Sequence, residues 1–397
     1  MPHRTLSPTC AVTRPTQHTS YDYDDHHTHH THHARHETIT TVPDARGRSA
    51  VEHVVRELAL AADKVAAHYA DPTKYPMPTD RSAPEQLLAE RFYDVPDDRK
   101  KRAAATVLAE PADGAARVAR LGGLARVDLR SRASVETQVS RLSLPAQLAL
   151  PVRKSAVRTA GFLPESVGAS TAPPLHHLEL RVRHVVCRDE TDEWGADPVR
   201  IAAVCVGPDG TAHRTDALEA GRFHSGDTVA YGPPRPLHRF TLADPGDPGD
   251  PIEAVEAVEA VEAADREVPG GRVPMGPDAY LGLLVLSTQD PRDARDGDAL
   301  VDHVARLLSL ARRKVGALLG PADPRVPAAA CVVVGELFDR LRRRHGDDTY
   351  RPVALRATVP AHTSRWPDGR TACAGTTADF RGHGGHYQVT YDWRLSA

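Results

Sequence analysis

The sequence predicts an α+β protein, an N-terminal helical domain followed by a β-sandwich into which a helical hairpin is inserted. Three observations predict it. Between residues 49 and 142 apolar side chains recur at helical spacing. From residue 175 onward they alternate with polar ones, as a half-buried strand requires. That alternation is broken between residues 298 and 345 by two long segments of helical period. A chain of 397 residues is long for one domain, and its 40% hydrophobic content is enough for two cores.

Residues 1–48 lack an apolar period and are rich in Thr, His, Pro and Arg, so a disordered tail is expected. Seven of the eleven residues from His26 to His36 are histidine. Neutral imidazole takes Zn2+, Ni2+ or Cu2+, which makes His26, His27, His29 and His30 adventitious metal ligands on a tail without fixed geometry.

The helical domain is placed at 49–150. Ser49-Ala-Val-Glu52 and Ser82-Ala-Pro-Glu85 have the capping-box form, and Val51, Val54, Val55, Leu58, Ala62 and Val65 trace one helical face. Further helices are expected from Asp97 to Leu108, over 115–121 before Gly122-Gly123, and from Ser134 to Leu142. The basic run Arg99-Lys100-Lys101-Arg102 reads as an exposed helix face. Proline-punctuated residues 151–174 form a linker.

The β domain is placed at 175–397. Leu178, Leu180, Val182, His184 and Val186 predict one strand face, and Val199–Val206, apolar on both faces, predicts a central strand. Residues 211–215, 237–242, 280–287 and 353–359 add strands. At the end, Tyr387, Val389, Tyr391, Trp393 and Leu395 alternate with Gln388, Thr390, Asp392 and Arg394, after a glycine turn at 382–385 that folds the strand onto the one ending at Phe380. About eight strands suit a sandwich. An acidic loop at 244–271 interrupts it, with nine acids against one arginine between 244 and 267. The hairpin 298–345 is expected to cover a face or an end of the sheet; its basic ends, Arg312-Arg313-Lys314 and Arg342-Arg343-Arg344, also suit a membrane interface.

Several function classes are disfavoured. The net charge of −3 leaves only a mild positive excess outside the acidic loop, no footprint of nucleic-acid binding. The five cysteines, Cys10, Cys187, Cys205, Cys331 and Cys373, fit neither a disulfide framework nor a CxxC metal site. No signal-type apolar segment and no apolar run of 18 residues occurs, so a cytoplasmic location is expected. Phosphate-loop, dinucleotide, nucleophile-elbow and HExxH patterns are missing, and Ser225 lacks the strand–turn–helix setting of a nucleophile.

Two loops carry candidate chemistry. Asp189, Asp192 and Asp197, with Asp290 from a second acidic loop, are candidate Ca2+ ligands, since hard Ca2+ takes six to eight oxygens. His383 and His386 flank the glycine turn near Asp379 and Asp392, the nearest approach to a zinc-hydrolase set.

Cys187-Arg-Asp-Glu-Thr-Asp-Glu-Trp-Gly-Ala-Asp197, Trp366-Pro-Asp-Gly369 and Gly382-His-Gly-Gly-x-Tyr-x-Val-x-Tyr-Asp-Trp-Arg-Leu395 together resemble a bacterial family of actinobacterial type. The resemblance spans roughly residues 175–395. It implies the same C-terminal β domain with a hairpin before the last strands, and it brings no known activity with it. The expectation is a non-enzymatic binding or interaction module with a protein partner and Ca2+ as its candidate regulator. The alternatives are membrane action through the hairpin and metal-dependent hydrolysis.

Overall fold

The computed structural model describes residues 33–111, 114–149, 174–192, 195–242, 279–288, 295–345, 349–360, 362–382 and 384–397. Ten strands and eight α-helices occur among them. The first strand is β1 (Arg35–Ile39), and α1 (Ala45–Ala70), α2 (Pro84–Asp94), α3 (Asp97–Leu108), α4 (Ala115–Leu121), α5 (Val135–Val139) and α6 (Ala146–Ala149) follow. Then come β2 (His177–Asp189), β3 (Asp197–Val206), β4 (Ala212–Arg214), β5 (Leu218–Phe223), β6 (Thr228–Thr241) and β7 (Ala279–Ser287). The hairpin is α7 (Arg295–Leu319) and α8 (Val326–His345), and β8 (Val353–Thr358), β9 (Thr376–Gly382) and β10 (Gly385–Ser396) close the chain.

One antiparallel sheet has the order β1-β8-β7-β3-β4, with β5 pairing the start of β3; the other has the order β6-β2-β10-β9. The two face each other as a sandwich, and the helices cover the outer face of the larger sheet. The sheet in the middle is therefore buried on both sides. Alternate residues divide between two cores: Ile201, Ala203 and Cys205 of β3 face the sandwich, while Ala202, Val204 and Val206 face the helices. In β7, Tyr280, Leu284 and Leu286 point one way and Leu281, Leu283 and Val285 the other. This double burial explains why residues 201–206 and 279–286 carry apolar side chains on both faces. Gly282 lies where a side chain would collide, its Cβ position 2.9 Å from Leu180 Cδ2.

The closing hairpin forms as expected, with Gly385 opposite Gly382 and all five alternating residues of β10 in the sandwich core. The inserted hairpin also covers a sheet face. Its apolar residues, including Leu300, Val304, Leu307, Val333 and Leu337, are buried in the same core as α1. No described helix is long and apolar enough to cross a membrane.

Four expectations are corrected. The region expected as a tail contributes β1, which pairs with β8 from Arg35↔Thr358 to Ile39↔Ala354. A five-residue edge strand is held by its backbone ladder, so its side chains carry little pattern. Helix α1 starts before Ser49. Its N-cap is Asp44, which accepts from Gly47 N at 2.8 Å. Glycine is needed there because a Cβ at 47 would sit 2.5 Å from Val42 Cγ1 and 2.7 Å from Asp44 Oδ2, the second oxygen of the capping carboxylate. The second capping box does not form either: Ala83 is the N-cap and Glu85 turns inward to accept from Val135 N at 2.7 Å. Finally, β2 changes face part-way. Its pairing with β10 passes from Val182↔Tyr391 to His184↔Thr390, which leaves Arg183 as an extra residue. One added residue inverts every later side chain. Val185 and Cys187 therefore point inward, and His184 meets Thr390 Oγ1 at 2.8 Å on the outer face.

Candidate functional site

Helix α3 carries Arg99, Arg102, Ala103 and Thr106 at i, i+3, i+4 and i+7, one stripe of the helix. Lys100 lies off it, pairing with Asp97 Oδ1 at 3.0 Å and lying 5.6 Å from the Tyr69 ring. The last turn of α8 carries Arg342, Arg343, Arg344 and His345, where positive charge favours the carbonyl end of a helix. The two stripes meet across a cleft of about 390 Å³ lined by Arg99, Arg102, Ala103 and Thr106 on one wall and residues 342–345 on the other. Five of its eight lining residues are arginine.

The cleft is held from behind by a buried carboxylate. Asp63 of α1, fully buried, accepts from Arg344 Nε at 2.7 Å and Arg120 Nη2 at 2.9 Å, and lies 3.0 Å from His345 Nε2. Burial alone would raise this carboxyl, but the hydrogen bonds and charges of His345 and Arg344 outweigh it and hold it at about 2. Glu110 accepts from Arg344 Nη2 at 2.7 Å and from Arg120. Burial opposes its ionisation as well, and the two arginines overcome it and lower its pKa. Arg342 is tied to Arg381 O at 2.8 Å and to Asp339 Oδ1 at 3.1 Å. Arg102 has a 3.0 Å pair with Asp98 in which both side chains are over 70% exposed. Arg343 is exposed and forms no ion pair or hydrogen bond among the described residues. Asp347 and Asp348, next after α8, lie outside the described residues.

The candidate Ca2+ ligands are placed differently. Asp189 ends β2 and Asp192 lies in the loop after it, both exposed. Asp192 lies against the closing turn: a Cβ at Gly384 would be 2.6 Å from Asp192 Oδ2. Asp197 is buried, and neutral donors engage both of its oxygens: Thr191 Oγ1 at 2.6 Å, Thr191 N at 2.7 Å and the Tyr387 hydroxyl. Burial, reinforced by the hydrogen bond to Asp197, pushes the Tyr387 pKa up. Asp290, His383 and the tail histidines His26, His27, His29 and His30 lie outside the described residues. His386 Nε2 meets Asp379 Oδ1 at 2.9 Å. Among the described residues no group of three or more His, Cys, Asp or Glu side chains is arranged to hold a metal ion. Ser225 Oγ accepts from Glu190 N at 2.9 Å, a loop-ordering contact.

Sequence reasoning treated the two arginine runs separately, one as an exposed face and one as the flank of a hairpin. The i, i+3 spacing of Arg99 and Arg102 was a usable signal; that α3 lies beside the end of α8 was not. Comparisons with family profiles, curated proteins and solved structures return no match.

Proposed function

We propose that this chain is a non-enzymatic binding module whose ligand is an anion seated in the cleft between α3 and α8. The observation that supports it is the convergence of five arginines, from two runs far apart in sequence, on one concavity. Guanidinium forks bind oxyanions through paired charge-assisted hydrogen bonds, and like charges held this close favour a counter-ion between them. The cleft volume lies in the usual range for small-molecule sites. Arg344 is already oriented by Asp63 and Glu110, and Arg342 by Asp339, which lowers the ordering cost of binding.

The test is thermal unfolding of the full chain in sulfate and in chloride at equal ionic strength. Sulfate raises the Tm of any protein somewhat by exclusion from its surface. The reading therefore rests on a difference: the wild type should gain several degrees more than an Arg102→Gln/Arg343→Gln variant. Equal gains would overturn it.

A further inference from the structure

Resting on that reading, we infer that the anion is a compact phosphate-bearing small molecule, with a diphosphate-like group bridging Arg102 on α3 and Arg343 on α8. Both guanidiniums are easily recruited. Arg343 has no partner among the described residues. The exposed i,i+4 pair of Arg102 with Asp98 is weak in water and is readily given up. Arg342 and Arg344 are engaged behind the cleft and supply field.

Arg102 and Arg343 stand on opposite walls. A ligand that engages both must offer oxygens on two sides. A carboxylate presents a single edge to one fork, whereas a phosphoryl group presents oxygens in several directions and a diphosphate can span the walls. The lining cations are arginines, although Lys100 and Lys101 belong to the same run. That choice favours planar, bidentate recognition over a diffuse positive surface.

The limits of the basic surface exclude a long polyanion. Asp97 and Asp98, about 70% exposed, stand at the start of α3 beside the arginine stripe. A nucleic-acid strand leaving the cleft past them would meet like charge, where strand binding needs a continuous positive track.

The experiment is calorimetric titration of the full chain with inorganic pyrophosphate, orthophosphate, citrate and a short single-stranded DNA. Pyrophosphate should bind tightest. Arg102→Gln and Arg343→Gln should each weaken it by about tenfold, the loss of one charge-assisted contact. Lys101→Gln, on the same helix but outside the cleft, should leave affinity within about twofold, as for a distant screened charge. Unchanged unfolding temperatures without ligand would show that the variants keep the fold. Citrate binding as tightly as pyrophosphate, or DNA binding more tightly, with either lost in the two cleft variants, would overturn the phosphate assignment and leave the anion reading standing. Pyrophosphate binding that neither variant weakens would place the site elsewhere. No binding by any of the four would remove both proposals.

Discussion

On the face of the central sheet that looks into the sandwich, β3 and β7 meet Phe240, Tyr387, Tyr391 and Trp393. On the opposite face they meet mainly Val, Leu and Ala from α1, α7 and α8. The buried carboxylates of the two interiors also differ, although the sandwich carries one buried ion pair, Asp392 with Arg181 at 2.8 Å, on the side of its smaller sheet away from the core. The sandwich's buried Asp197 is satisfied by a backbone amide and two hydroxyls. In the helical layer the buried carboxylates Asp63, Glu57 and Glu85 lie against Arg344 and Arg120, against Lys314 at 2.7 Å, and against Lys64 at 3.8 Å. Large rings fill space with few polar atoms to satisfy, whereas small aliphatic side chains let helices approach until polar side chains are enclosed with them. Enclosed ions must then be paired, because desolvation is costly. The sandwich should therefore be sensitive to volume, and the helical layer to charge and pH.

The largest expected effect lies in the sandwich. Trp393→Ala should lower unfolding stability by about 3–5 kcal/mol in urea titrations, from lost burial and the cavity left behind. Trp393→Phe should cost much less, since the indole Nε1 has no hydrogen-bond partner among the described residues. A loss below about 1 kcal/mol for the alanine variant would break the claim that aromatic volume holds this face.

Next comes Asp63→Asn, which leaves two arginines without their shared carboxylate and should cost about 3 kcal/mol at neutral pH. The acid limb sharpens the point. Asp63 titrates at about 2 in the fold against an ordinary 3.8, so its contribution is complete above about pH 5 and is lost as pH falls toward 2. A shift of that size corresponds to about 2 kcal/mol. Stability measured from neutral pH into acid should fall in the wild type and flatten in the variant; parallel curves would detach the cluster from acid sensitivity.

The smallest effect belongs to Glu85→Gln. Burial raises the Glu85 pKa more than Val135 N and Lys64 lower it. Its protonated form suits the fold, so its sign is opposite to that of Asp63: stability is present at low pH and fades as pH rises above the ordinary carboxylate range. Glutamine can still accept from Val135 N. The change at neutral pH should be under about 1 kcal/mol, with a flatter profile as pH rises above the ordinary carboxylate range. A loss of several kcal/mol would mean that Lys64 depends on this carboxylate more than on its bonds to Ser131 O and Ala133 O, at 2.8 and 2.7 Å.

Where periodicity acts over many residues, the fold was legible. The alternation in β10, the two apolar faces of β3, and the helical period of α7 each led to the right element. Where one residue decides, it was not. Arg183 reads as an ordinary polar position, yet as an extra residue it turns Val185 inward and His184 outward. Ser49 and Glu52 match a capping box, yet Asp44 begins the helix a turn earlier, because Gly47 lets its carboxylate close over the first amides. The arginine cleft was the least legible. Its parts were visible as charge runs, but their meeting depends on how α3 and α8 pack, which neither run encodes by itself.

The double burial of β7 reaches beyond packing. All nine of its residues are enclosed, with one side against aromatic rings and the other against helices. Backbone amides there can meet solvent only when both coverings open. Their deuterium uptake would thus act as a clock for the whole assembly, slow while either half stays shut. Loosening the helices around the arginine cleft would not register on that clock unless the sandwich opened as well.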